Sequence, residues 1–148
     1  MRAVLLALII SSPLSLSSVA PEIKSTTRII VSAKNLARPI EITDGAVLAL
    51  SHVFAGNFMN RLAAPPDASL PRYTVTFDIQ TIQGVKEAAY VVVYSVDPIT
   101  RNGFVYLPGP GEESHRRNIS TILREGHDGY WHYASDEWSA AINRYLER

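Results

Sequence analysis

Residues 73–80 alternate without a break: Tyr73, Val75, Phe77 and Ile79 fall on one side, and Thr74, Thr76, Asp78 and Gln80 on the other. A period of two marks a half-buried β-strand with one wet face. This segment constrains the whole fold, because a strand with one apolar face needs further strands beside it and a second layer against it. The next apolar run, residues 88–96, supplies the first neighbour. There Tyr90, Val92 and Tyr94 oppose Val91 and Val93, so both faces are apolar and the strand belongs in the middle of a sheet. A turn near Gln83-Gly84 joins the two strands, and Asp97-Pro98 with Asn102-Gly103 brackets a reversal into a third strand at residues 104–107.

The flanking segments complete the layers. Residues 28–32 are short and β-branched and read as a strand, with residues 39–43 continuing it after a kink. Thr43 and Asp44 are N-cap residues, and Val47, Leu50, Phe54 and Phe58 then recur at helical offsets until Gly56-Asn57 ends or frays the helix. Residues 62–71 hold three prolines and no period, which makes them a loop. Pro108-Gly109-Pro110-Gly111 breaks the chain. Residues 118–124 fit either a helix or a strand; the strand is favoured because His127-Asp128-Gly129 would turn it into a hairpin with residues 130–133. Ser135 caps a last helix, with Asp136 and Glu137 at its positive end and Trp138, Ile142, Tyr145 and Leu146 as its apolar stripe. The expected fold is a two-layer α+β domain: an antiparallel β-meander of about four to six short strands, with two amphipathic helices packed on one face. There is no repeat and no low-complexity run, so residues 28–148 read as one domain.

The N-terminus carries an export pattern. Arg2 precedes an apolar run at residues 3–10, and a small-residue stretch follows to Ala20. The run is far short of the ~20 residues that span a bilayer, but it suits a signal-peptide core. Ser18 and Ala20 place small side chains where signal peptidase needs them, although Pro21 leaves the cut itself open to a shift by a few residues. The expectation is a signal peptide at residues 1–20, a disordered lead-in at 21–27, and a secreted or periplasmic product with no later membrane span. No cysteine is present, which removes disulfides, thiolate metal sites, cysteine nucleophiles and a lipoprotein anchor together.

The chemistry is less defined. Fourteen basic side chains balance fourteen acidic ones, which argues against a nucleic-acid binder that works by neutralising many phosphates. No phosphate-binding loop, dinucleotide fingerprint or serine-hydrolase elbow occurs, and no cofactor is expected. His115, His127 and His132 stand near Glu112, Glu113, Asp128 and Asp136, a residue set able to ligate a divalent ion or move protons. Their spacing points to no shared face; His127, Asp128 and His132 are the catalytic candidates, and His115, His127 and His132 the candidate metal ligands. His52, beside Ser51, has no partner at hydrogen-bonding offset and reads as a boundary residue. Arg116-Arg117, with Arg124 close by, is the one local basic run, and Asn118-Ile119-Ser120 matches an N-glycosylation acceptor. Tyr130, Trp131, Tyr133, Trp138 and Tyr145 crowd the C-terminal part, where core packing accounts for most of them and a contact surface for the rest. The reading is an exported, non-enzymatic binding module for a protein or small-molecule ligand outside the cytoplasm, engaging it through Arg116, Arg117, Tyr130 and His132. The alternative is a small metal-dependent or acid–base hydrolase using the C-terminal His/Asp cluster.

Overall fold

A computed structural model describes residues 25–51, 58–80, 86–119 and 127–147. The expectations placed on residues 1–24, on His52, Phe54 and Gly56-Asn57, on the Gln83-Gly84 turn, and on Arg124 lie outside the described residues.

Seven strands form one sheet: β1 (Thr26–Ser32), β2 (Ile40–Ile42), β3 (Phe58–Arg61), β4 (Arg72–Gln80), β5 (Lys86–Val96), β6 (Gly103–Leu107) and β7 (Tyr130–Ala134). Among the described residues three helices accompany it: α1 (Gly45–Leu50), α2 (His115–Ile119) and α3 (Asp136–Leu146). The spatial order is β2-β1-β4-β5-β6-β7-β3, and each neighbouring pair is antiparallel. The chain is therefore α+β with an antiparallel sheet, larger by at least one strand than its pattern suggested.

The apolar face of β4 packs as its alternation predicts. Tyr73, Val75, Phe77 and Ile79 are all buried. Register sets Val75 between Val31 and Val92, and Phe77 between Ile29 and Tyr90. Tyr94 pairs with Val105 and extends the same face. Against it lie Val47 of α1 and Trp138, Ala141 and Ile142 of α3. Trp138 meets Tyr94 edge-on at 5.2 Å and 89°, while Phe77 and Tyr90 stack at 4.3 Å. Each such ring contributes roughly 1.5–3 kcal/mol by burial, and the paired rings somewhat more.

Ser51 locks this layer. Its hydroxyl donates to the Val47 carbonyl (2.7 Å) and accepts from Trp138 Nε1 (2.9 Å). Its carbonyl accepts from Thr26 Oγ1 (3.0 Å) and Tyr90 Oη (3.2 Å). One residue at the end of α1 thus satisfies the polar tips of β1, β5 and α3 in a dry interior, where an unmade bond is costly. On α3, Ser135 caps through the Trp138 amide, and Asn143 accepts from the Tyr94 hydroxyl at 2.9 Å.

Several expectations are corrected. Phe58 opens β3 and is not on the first helix, because its backbone pairs with Ala134 of β7. The order is not a simple meander, since β3 inserts at the far edge of the sheet. Residues 118–119 are helical, not a strand paired with residues 130–133: β7 pairs instead with β6 and β3. The Asn118 side chain bonds both the amide (2.8 Å) and the carbonyl (2.7 Å) of Val91, extending the ladder at a β5 residue two beyond the last paired with β6. Asn118 is fully buried, so an N-linked glycan there is incompatible with this fold. Asp78, placed on the wet face, is buried, and Arg28 crosses from β1 to meet it at 2.5 Å.

Candidate functional site

The β6–β7 rim gathers most of the candidate side chains. Two glycines set its geometry. A Cβ on Gly109 would lie 2.7 Å from Gly129 Cα and 2.8 Å from the Asp128 carbonyl, so only glycine permits this crossing of loops. Gly129 itself has φ of +108°, and its amide donates to the Leu107 carbonyl at 3.0 Å. The crossing fixes Asp128 and Glu112 at the ends of β7 and β6.

Asp128 is oriented by the Tyr130 amide, which donates to Oδ1 at 2.9 Å. His132 Nε2 then stands 3.3 Å from both carboxylate oxygens of Asp128, and both side chains are largely buried. His132 therefore does not stand with Tyr130 as an exposed aromatic–histidine pair. Beside them, the Tyr106 hydroxyl donates to Glu112 Oε1, which also accepts the Gly109 amide at 2.8 Å. Burial, with help from the Glu112 and Asp128 charges, pushes the Tyr106 hydroxyl up to about 12. It stays protonated and acts as a donor.

Tyr130 and Tyr133 are each 45% exposed. Arg61 of β3, in register with His132, lays its guanidinium carbon 3.0 Å above the Tyr130 ring. On the opposite face, Arg72 lies 4.3 Å over the Trp131 ring and donates to the Pro66 (3.2 Å) and Asp67 (3.0 Å) carbonyls. Burial lowers the Arg72 pKa, while Asp67 opposes that shift. Trp131 also packs against Tyr106 at 5.3 Å. Between the loop after β3 and the start of β7 opens a groove of about 290 Å³, lined by Arg61, Ala63, Ala64, Pro65, Tyr130 and Trp131 among others.

Of the candidates, then, Asp128, Tyr130 and His132 come together. Arg116 and Arg117 are exposed on α2, which packs on β5, and His115 on the same helix is buried. His127 is exposed in the turn before β7. Among the described residues, no group of three or more histidine, aspartate or glutamate side chains is placed to hold a metal ion. Arg61, Arg72 and Tyr106 carried no mark in the sequence, because only strand pairing brings them to this rim. Among the described residues, no helix is long and apolar enough to cross a membrane. No family model matches the chain, and neither a curated protein nor a solved structure matches it.

Proposed function

We propose that the chain is an exported, non-enzymatic binding module that takes a carboxylate-bearing ligand into the groove beside the Arg61–Tyr130 stack. That stack carries the reading: a guanidinium set over an exposed phenol ring, at a groove of about 290 Å³. An arginine lying on a ring keeps its N–H edge for planar oxygen acceptors, and stacking reduces the entropy lost when it binds. Ala63, Ala64 and Pro65 give an apolar wall, and Trp131 lines the groove beside them. Few polar groups among apolar ones is the usual composition of a ligand site. The export pattern of residues 1–20 supports a role outside the cytoplasm.

Trp131 lines the groove, whereas Trp138 is fully buried, so tryptophan emission reports on groove occupancy. Titration with succinate and with short glutamate-rich peptides should give a saturable change that Arg61→Ala and Tyr130→Ala each abolish. No response, or one that persists in both variants or is equal with lysine-rich peptides, sinks the reading.

One observation favours the hydrolytic alternative: the imidazole–carboxylate pair of His132 and Asp128 at 3.3 Å. Such a pair can act as a base held in one orientation. That reading requires turnover of a hydrolysable ester or amide that His132→Gln eliminates, or a melting temperature raised by zinc, manganese or calcium over EDTA.

A further inference from the structure

A second groove runs along the other end of the sheet, between the β5–β6 hairpin and α3. It consists of two hollows of about 660 and 220 Å³ that share Asn102 and Asp136. Asn60, Asn102, Thr100 and Asp136, all exposed, supply amide, hydroxyl and carboxylate groups along its length. Tyr133, 45% exposed, closes one end, with its ring backed by Phe104 at 5.9 Å.

Arg101 is ion-paired with Glu147, and the Asp136 carboxylate lines both hollows, which disfavours a phosphate or sulfate there. Arg101 has φ of +65°, a left-handed conformation that strains a non-glycine residue. Its side chain forms part of the groove wall and pairs with Glu147.

Planar amides and a carboxylate make paired bonds to vicinal hydroxyls, and an aromatic face packs on the C–H face of a sugar ring. We propose that this groove binds a neutral oligosaccharide, with Tyr133 as the stacking platform and Asn60, Asn102 and Asp136 as hydroxyl partners. The site is separate from the Arg61–Tyr130 groove and does not depend on it.

The test is ¹⁵N–¹H NMR of the full chain titrated with maltotriose, cellotriose and chitotriose, with sialyllactose as the anionic control. The side-chain amides of Asn60 and Asn102 and the Gly103 amide should shift with at least one neutral trisaccharide. Tyr133→Ala and, independently, Asn102→Ala should each weaken that binding about tenfold or more, equivalent to ~1.4 kcal/mol, whereas Arg61→Ala should leave it unchanged. The proposal is overturned if no neutral sugar moves these amides up to about 10 mM, beyond the millimolar range of weak binding. It is equally overturned if sialyllactose alone binds, or if both groove variants bind as the parent chain does.

Discussion

The helix-covered side of the sheet and its β6–β7 rim use the same residue types to opposite ends. Under the helices, Tyr90, Tyr94 and Trp138 are buried, and each polar tip finds an internal partner in Ser51 or Asn143. At the rim, Tyr130 and Tyr133 are 45% exposed, and Arg61 and Arg72 lie on the rings of Tyr130 and Trp131. The first arrangement closes a core; the second holds rings rigidly where something else can reach them. Aromatic content alone does not separate the two. Position in the sheet does: Tyr94 pairs with Val105 on the core face, Tyr133 pairs with Phe104 on the other, and Tyr130, although in register with Leu107 on the core side, lies one strand from the sheet's edge under Arg61.

The comparison breaks most severely at Trp138. Trp138→Ala should cost about 3–5 kcal/mol, lowering the melting temperature by roughly 10–15 °C, because it opens a cavity beside Phe77 and Tyr94 and leaves Ser51 Oγ without its donor. A loss below a few degrees would show that the α3 layer contributes little. Next is Asn118→Ala, which strips the buried amide and carbonyl of Val91 of their partner at once. It should cost about 2–3 kcal/mol by chemical denaturation, and an undisturbed midpoint would mean that another group already serves Val91.

The smallest effect lies at the start of α1. Amides of Ala46 and Val47 hold the Asp44 carboxyl below the ordinary carboxylate range, with smaller help from Tyr145 and Arg144. A depressed folded-state pKa gives stability that is complete above the unfolded value and is lost as pH falls through the folded one. The cap should therefore weaken below about pH 4. Asp44→Asn keeps a capping oxygen without a titrating group, so its stability should vary less with pH across that window than the parent's. Equal acid slopes for both chains would remove Asp44 as a contributor.

The parts of the fold that were legible are those encoded locally. The alternation of residues 73–80, the two-sided apolar run of β5 and the Ser135 cap each carry their own signal within a few residues, and each stands in the structure. What was not legible depends on distant partners. β3 is a strand because Phe58 and Arg61 meet Ala134 and His132, a pairing that no local period announces. Asp78 is buried because Arg28 reaches it across the β1–β4 pair, where both ladders are irregular. Residues 118–119 carry strand-like character, but a backbone bond from the Asn118 amide to the Ser114 carbonyl and the clip on Val91 hold them helical. The site divides in the same way. Asp128, Tyr130 and His132 are near in sequence and were visible, while Arg61 arrives only through the β3–β7 pairing.

A paired melt of Trp138→Ala and the double variant Arg61→Ala/Tyr130→Ala sets the two regions side by side. The core variant should fall by roughly 10–15 °C, while the rim variant should stay within about 3 °C of the parent, an effect of ~1 kcal/mol, because its stacked pair is exposed. If the rim variant instead falls as far as the core variant, the Arg61–Tyr130 stack is part of what holds the fold together, and the division between a closed core and an available rim is wrong.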